Sequence, residues 1–293
     1  MLSESLLQAL RPLRLSARRS QAGAVAGARQ SIQRGRSLEF ADYRTYTPGD
    51  DPRRVDWNAF ARLERPFIKL FEDERDLPVF ILLDDSPSMF WREEGELPAQ
   101  HGAKWRCATQ LAAALAFVAL VGGDPLTLET HSGQRLSAKR GVAAFPSVVE
   151  FIRRLEPKPI KTALNAWGVR FAQRARSGIC ILISDFLDEQ GPAEGIAALA
   201  ATRQLYALHV LSTEELSPSL SDEVLLRDVE TGQTRALSVD PALLAEYARQ
   251  LETWRGAIER EVHRRGGRYL LADASKPIRE ILLRDMRQAG WLV

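Results

Sequence analysis

The stretch PVFILLDDSPSMFW, residues 78–91, decides how this chain is expected to fold. Its apolar run, residues 79–83, is short, continuous and bounded by turn-forming residues, which is typical of a strand buried on both faces of a parallel sheet. The run ends in two carboxylates and two nearby hydroxyls, those of Asp84, Asp85, Ser86 and Ser88. Burying such groups without partners is costly, so the sequence requires something at this strand end that satisfies their oxygens.

The rest of the chain after residue 77 alternates short apolar runs with helical patterns, which predicts a mainly parallel sheet covered by helices on both faces. Further buried strands are predicted at residues 178–185, 205–211 and 268–273. Thr231 and Gly232 lie between alternating apolar residues and predict a small β-hairpin insertion. We therefore predict an α/β fold, a doubly wound mainly parallel sheet with an N-terminal extension and this hairpin.

Three regions differ in composition. Residues 1–39 carry seven arginines and a single acid before residue 39, which predicts a basic N-terminal arm. Residues 40–76 mix aromatic side chains with charges of both signs and are expected to pack on the sheet domain, residues 77–293. In this segment Trp57 is expected to be buried, and residues 65–74 are predicted to add a strand that pairs with the strand beginning at Val79.

The charge balance and the apolar segments exclude several classes of protein. The net charge is only +2, so no overall field favours nucleic acid as a partner. The apolar stretch at residues 111–123 is too short to cross a bilayer, so no membrane span is predicted. Cys107 and Cys180 lie in apolar surroundings, which indicates buried thiols in a reducing compartment. A cytoplasmic location is therefore expected.

The spacing of Asp84, Ser86 and Ser88 gives the pattern D-x-S-x-S at a strand end. In a doubly wound sheet ligands bind where the strand order reverses, between the first and fourth strands. The fourth strand ends in Ser184 and Asp185, so Asp84 and Asp185 are expected to converge with the hydroxyls. Carboxylate and hydroxyl oxygens suit Mg²⁺ or Mn²⁺. An alternative is that Asp84 and Ser86 only cap the turn into the next helix.

A metal would also relieve the repulsion between the two converging carboxylates. If that repulsion dominates, removing Asp84 is expected to leave the stability of the metal-free protein unchanged or to raise it.

Two blocks of sequence resemble known families. D-x-S-x-S followed by Met89, with LISDF at residues 182–186, resembles the metal-ion-dependent adhesion site of von Willebrand factor A-like domains. YRTYTPGDDPRRVDWNAFAR, residues 43–62, resembles the bacterial domain of unknown function 58 family, whose members carry G-D-D-x-R-x-[IV]-D-W shortly before such a domain. The resemblance covers about residues 34–275.

The resemblance implies more than the residues alone. It implies a von Willebrand factor A-like, Rossmann-type fold, and a partnership with MoxR-type AAA+ ATPases. It also implies a fifth metal ligand, a threonine before the third helix, and Thr162 occupies that place. Asp85 is expected to be an outer-shell or surface group.

These observations favour a non-enzymatic, metal-dependent protein-binding module that docks a MoxR-type AAA+ ATPase or its client through the metal, in a chaperone-like or maturation system. An alternative is a Mg²⁺-dependent phosphohydrolase of the haloacid dehalogenase type, which also begins with a strand-end aspartate. That class requires D-x-D, in which the second aspartate donates a proton as the general acid. Ser86 occupies that position here and cannot supply this proton donor. A nucleic-acid surface is disfavoured, because the cluster of Arg53, Arg54 and Asp56 is balanced in charge.

Overall fold

The computed structural model describes residues 2–16, 39–47, 55–63, 65–72, 77–90, 102–156, 160, 162–174, 177–188, 190–229 and 232–293. The chain divides into two units. One comprises Met1–Arg18 and Leu77–Val293, and the other comprises Arg19–Asp76.

The N-terminal residues belong to the unit that contains the large sheet. Helix α1, Glu4–Leu10, begins at Ser3, whose hydroxyl accepts a hydrogen bond from the backbone N–H of Leu6. Leu6 and Leu10 are buried in the core of that unit, and Leu15 forms a β-bridge with Leu292. The prediction of a basic arm over residues 1–39 is therefore wrong for its first part, because apolar side chains one helical turn apart anchor this segment. Residues 17–38 lie outside the described residues.

The Arg19–Asp76 unit contains an antiparallel pair of strands, β1 (Glu39–Thr45) and β2 (Phe67–Glu72), with helix α2 (Trp57–Leu63) between them in sequence. The prediction that residues 65–74 pair with the strand beginning at Val79 is wrong, since β2 pairs with β1. Within this unit the Trp57 ring makes an edge-to-face contact with the ring of Phe60. The expected packing of Trp57 on the sheet domain stays a prediction.

The sheet unit continues after Leu77 with strands and helices in alternation. In chain order they are β3 (Val79–Leu83), a 3₁₀ helix (Pro87–Phe90), α3 (Ala103–Val121), β4 (Leu126–Thr130), β5 (Arg135–Lys139), a second 3₁₀ helix (Val142–Ala144), α4 (Phe145–Arg153), α5 (Leu164–Arg174), β6 (Ile179–Ser184), α6 (Ala193–Thr202), β7 (Gln204–Leu211), α7 (Thr213–Leu216), β8 (Asp222–Arg227), β9 (Thr234–Val239), α8 (Pro241–Arg264) and β10 (Arg268–Asp273). A last helix, α9, runs through Ile278–Glu280, a π-helical turn Ile281–Asp285 and Met286–Gln288.

The described residues form a mixed α/β fold around a six-stranded sheet of order β10-β7-β6-β3-β4-β5. Every neighbouring pair is parallel except β4 and β5, so the prediction of a mostly parallel sheet is confirmed. The strand order reverses between β3 and β6: the strands that follow β3 add on one side of it, and β6, β7 and β10 add on the other side. The carboxyl ends of these two strands therefore lie side by side, which is where such sheets bind ligands. The predicted hairpin is present as the antiparallel pair β8 and β9.

Two buried apolar clusters cover the two faces of this sheet. Val79, Ile81 and Leu83 of β3 contribute to the cluster that includes α3, and Phe80 and Leu82 contribute to the cluster that includes α5 and α6. This alternation follows from the period of two along a strand. Because both faces are covered, the whole of β3 is buried, as its unbroken apolar run predicts.

Helix α3 crosses the first of these clusters. Among the described residues it is the one helix whose length and apolar composition would suffice to cross a membrane, and 78% of its most apolar window is buried inside the protein. That burial is what a core helix requires.

Helices α5 and α6 approach each other closely through two glycines. A Cβ atom on Gly168 would lie 2.7 Å from the Cα of Gly195, and the backbone N–H of Gly195 donates a 2.9 Å hydrogen bond to Asn165 Oδ1. The approach therefore depends on the absence of a side chain at both positions.

We expect Gly168→Ala to lower the free energy of unfolding by about 1–3 kcal/mol, because the added methyl group would force backbone atoms apart. A matched control is Gly256→Ala in α8, where the new Cβ would meet only the end of the Arg260 side chain. That change is expected to stabilise the protein by about 0.5–1 kcal/mol through helix propensity. Urea unfolding followed by circular dichroism measures both, and equal effects of the two variants would contradict the close approach.

Candidate functional site

An open cavity of about 700 Å³ lies at the carboxyl end of the sheet. Four of the five predicted ligands line it: Asp84, Ser86, Ser88 and Thr162. Asp185 does not line it, although it follows β6 beside β3. The structure thus brings the five predicted residues to one end of the sheet, and four of them line the cavity.

The segment after β3 holds two hydroxyl oxygens close together. Ser86 Oγ and Ser88 Oγ lie 3.0 Å apart, and Ser88 is on the 3₁₀ helix Pro87–Phe90. The backbone N–H of Ser86 donates a 3.0 Å hydrogen bond to Asp84 Oδ1. The capping alternative accounts for this last contact. It does not account for the two hydroxyl-bearing side chains at the cavity.

The Asp84 carboxylate is held by groups from three other places in the chain. Ser184 Oγ donates to Asp84 Oδ2 at 2.6 Å, and His131 Nδ1 lies 3.4 Å from Asp84 Oδ1. Burial by itself would raise the pKa of Asp84, but the hydrogen bond and charge of His131 and the hydrogen bonds from Ser184 and Ser86 lower it below its ordinary value. Asp84 is therefore ionised in the folded protein.

His131 was not predicted as part of the site. Its ring stacks on Trp167 with 4.7 Å between the ring centroids, and its Nε2 donates to the backbone carbonyl of Thr162 at 2.8 Å. Burial opposes a charge on the ring, but Asp84 raises the pKa of His131 above its ordinary value. A sequence signal existed, since His131 closes the run PLTLETH, residues 125–131, as Asp84 closes the run at residues 79–84. The register of the structure, in which Leu83 pairs with Thr130, brings the two residues together.

A buried ion pair holds Asp185. Lys104 of α3 places its Nζ 2.8 Å from Asp185 Oδ2 and 2.5 Å from Glu215 Oε1, and the Lys104 side chain is only 1% exposed. Burial by itself would lower the pKa of Lys104, but the charges of Asp185 and Glu215 raise it above its ordinary value. Lys104 is therefore a charged ammonium group inside the protein.

Lys104 was also missed by sequence reasoning. Its spacing from Ala108, Leu111 and Leu115 places it on the buried, apolar face of α3. That position is the signal that identifies the lysine as a buried charge.

The backbone turns sharply directly after Asp185. Phe186 has a φ of 56°, in the left-handed region that bulky side chains rarely adopt. In this turn the N–H of Phe186 donates to Ser184 Oγ at 2.9 Å and the N–H of Leu187 donates to Asp185 Oδ1 at 3.1 Å. The conformation thus holds both side chains at the strand end in fixed orientations.

Asp85 has a structural role that differs from the predicted one. Its carboxylate accepts hydrogen bonds from the backbone N–H of Ser132 at 2.8 Å and from Ser132 Oγ at 2.6 Å. The residue is fully buried and does not line the cavity. It ties the end of β3 to the turn between β4 and β5. The expectation of a surface group is therefore wrong, and the outer-shell role stays a prediction.

From the sequence, removing Asp84 was expected to leave the stability of the metal-free protein unchanged or to raise it. The contacts of Asp84 lead us to expect a loss of stability instead. Burial and the charge of Asp84 raise the pKa of Asp185 although Lys104 lowers it, so Lys104 offsets only part of the repulsion between the two carboxylates. We expect the hydrogen bonds of Asp84 to outweigh the part that remains. We expect Asp84→Ala to lower the free energy of unfolding of the metal-free protein by about 1–3 kcal/mol, because Ser184 and the Ser86 N–H lose a buried acceptor. Unfolding in EDTA measures this.

The control for this experiment is Glu150→Ala. It removes a carboxylate from an exposed pair with Arg154 and is expected to change stability by less than about 0.5 kcal/mol. An Asp84→Ala protein as stable as the wild type would show that repulsion between the carboxylates dominates after all.

Comparison with known proteins gives both sequence relatives and solved structures. "Uncharacterized protein Mb1516" of Mycobacterium bovis and "Uncharacterized protein Rv1480" of Mycobacterium tuberculosis are each 28% identical over 266 residues, which is 88% of this chain and 81% of each relative. An aerotolerance-related membrane protein from Bacteroides fragilis is 19% identical, with a TM-score of 0.39 over 72% of this chain and 99% of that one. BatB from Bacteroides thetaiotaomicron is 16% identical, with a TM-score of 0.39 over 73% and 98%. TM-scores of this size carry no argument about function.

The family model that matches the chain is described as "Protein of unknown function DUF58", and it matches residues 42–256. This range covers well over half of the sequence and includes the Asp84 strand end, His131 and Asp185. The chain therefore belongs to the DUF58 family.

Proposed function

We propose that this chain is a non-enzymatic, metal-dependent protein-binding module. In this proposal Mg²⁺ or Mn²⁺ is bound at the cavity by Asp84, Ser86, Ser88 and Thr162, with Asp185 contributing directly or through water. The observation that carries it is the hydrogen bond between Ser86 Oγ and Ser88 Oγ, which holds the two hydroxyl oxygens 3.0 Å apart at the cavity. Two adjacent ligands on an octahedral Mg²⁺ ion, each about 2.1 Å from the metal, lie about 3.0 Å apart.

The chemistry of the donors supports the same ion. Hydroxyl and carboxylate oxygens are hard ligands, which suit Mg²⁺ and Mn²⁺ better than softer metals. Among the described residues, no group of three or more His, Cys, Asp or Glu side chains is placed to hold a metal, so a site here would depend on the hydroxyls. A bound ion would supply an open coordination position for a carboxylate from another protein.

The ligand preference of a hard cation favours a partner that brings a carboxylate. Asp84 lies beside His131, and Asp185 is paired with Lys104. An acidic side chain from a partner would complete the coordination of the ion.

The partner class and the finer fold rest on the resemblance of residues 43–62 and of D-x-S-x-S to their families. We infer that the sheet unit is a von Willebrand factor A-like domain, and that the partner is a MoxR-type AAA+ ATPase or its client. The strand reversal beside β3, with D-x-S-x-S at its carboxyl end, supports the fold. The phosphohydrolase alternative has less support, because Ser86 contributes a hydroxyl where that chemistry needs a carboxylic acid.

The metal site can be tested on the isolated protein. Ser86→Ala is expected to weaken Mn²⁺ binding at least about tenfold, since even outer-shell changes reduce metal affinity by about that factor. Ser132→Ala is the matched control, because it removes a neighbouring hydroxyl that bonds Asp85 and does not line the cavity. Calorimetry or Mn²⁺ paramagnetic resonance gives the affinities. Equal affinities for wild type and Ser86→Ala would refute the site.

Docking can be tested with a purified MoxR-type ATPase from the same genome. Binding measured by surface plasmon resonance is expected in Mg²⁺ and is expected to be lost in EDTA, because the contact needs both the ion and a carboxylate. Restoring Mg²⁺ should recover binding for the wild type and for Ser132→Ala, but not for the Ser86→Ala/Ser88→Ala double variant. Equal binding with and without EDTA would show that the ion does not bridge the two proteins.

A further inference from the structure

The position of Lys104 is the feature that the proposed metal site leaves unexplained. It is a fully buried ammonium group on α3, and the other buried residues of this helix are apolar. Buried ion pairs are weak contributors to stability, since apolar residues of the same volume often serve as well. A role in stability alone therefore does not account for a lysine at this position.

The Lys104 ammonium group is held in a fixed place. Glu215 Oε1 accepts from its Nζ, and Glu215 Oε2 accepts from the backbone N–H of Ser212 at 2.8 Å in the capping box of α7. Tyr247 of α8 donates from its hydroxyl to the Glu215 carbonyl at 2.6 Å. Three elements thus fix the position of one positive charge beside Asp185.

Both oxygens of Asp185 are engaged by this arrangement. Oδ2 accepts from Lys104 Nζ, and Oδ1 accepts from the N–H of Leu187 at 3.1 Å. The oxygens of Asp84 are engaged too, Oδ2 by the Ser184 hydroxyl and Oδ1 by the Ser86 N–H, but Asp84 lines the cavity together with the hydroxyls of Ser86 and Ser88. The two strand-end carboxylates are therefore unequal, since one lies at the cavity and the other is turned to an internal cation.

We propose that Lys104 is a resident cation that keeps Asp185 out of direct metal coordination and so sets a low metal affinity in the isolated protein. The inference rests on the proposed metal site. Of the two strand-end carboxylates, a divalent ion at the cavity meets only that of Asp84, and it also meets the fixed positive charge of Lys104. Asp188 and Asp228 line the cavity as well, and the Asp188 carboxylate already accepts from the backbone N–H groups of Leu164 and Gln190. Firm binding of the ion then requires a carboxylate that a partner supplies, and this requirement couples metal binding to docking.

The central test is the Mn²⁺ affinity of Lys104→Met. Removing the ammonium group frees the Asp185 carboxylate and removes a like charge, so Mn²⁺ is expected to bind the isolated protein at least about tenfold more tightly than it binds the wild type. Lys276→Met is the matched control, because it removes the same charge from a partly exposed pair with Asp285, at a lysine that follows the edge strand β10. It is expected to leave the affinity unchanged. An affinity of Lys104→Met no higher than that of the wild type would overturn the proposal.

A second variant decides the question if Lys104→Met does not fold. Lys104→Met/Asp185→Asn removes both members of the pair and preserves the net charge, which buried pairs tolerate better than loss of one member. Its affinity for Mn²⁺ is expected to stay within about threefold of the wild type, because Asp185 is not a direct ligand. Loss of Mn²⁺ binding in this variant would make Asp185 a ligand and refute the inference, while the metal site itself would stand.

The two proposals fail in different ways. If the wild type and Lys104→Met bind Mn²⁺ equally and Ser86→Ala binds it weakly, the metal site is supported and the role of Lys104 is refuted. If wild type, Lys104→Met and the double variant all fail to bind Mn²⁺, the proposed function fails and the inference fails with it.

Discussion

The hydrogen bond from Ser184 Oγ to Asp84 Oδ2 is the contact on which this end of the molecule depends. It joins the residues at the carboxyl ends of β6 and β3, the two strands between which the chain reverses its progress through the sheet. Both strands are buried along their full length, so any polar group at their ends must find a partner inside the protein. The bond satisfies one such oxygen and holds the two strand ends side by side. The turn at Phe186 and the segment that contains Ser86 both start from these strand ends.

The buried acids at this edge are satisfied by the protein's own groups. Asp84 has His131 and Ser184, Asp85 has the N–H and hydroxyl of Ser132, and Asp185 has Lys104. The fold therefore does not depend on a metal to neutralise these charges. If an ion binds, as we propose, its contacts can therefore contribute to the association with another protein, because the ion is not needed for folding.

Much of the sheet was predictable because its strands are continuous apolar runs, and the period of two along Val79–Leu83 assigns each residue to a face. D-x-S-x-S could be placed because it follows such a run directly. Lys104 could not be placed so easily, since a lysine near a helix start usually lies in solvent and its partners, Asp185 and Glu215, are 81 and 111 residues away. The same limit explains the error over residues 1–39. Arginines dominate that segment, and the burial of Leu6 and Leu10 depends on contacts that a local pattern does not contain.

The contact between Gly168 and Gly195 has a mechanical consequence. Helix α5 begins two residues after Thr162, and its first N–H groups include that of Leu164, which donates to Asp188 Oδ2 at 2.5 Å in the segment that leads from β6 to α6. Because their backbones are in contact and this bond joins them at one end, we expect α5 and α6 to move as one body. A displacement at Thr162 is then expected to reach Thr202, where α6 ends before β7 begins.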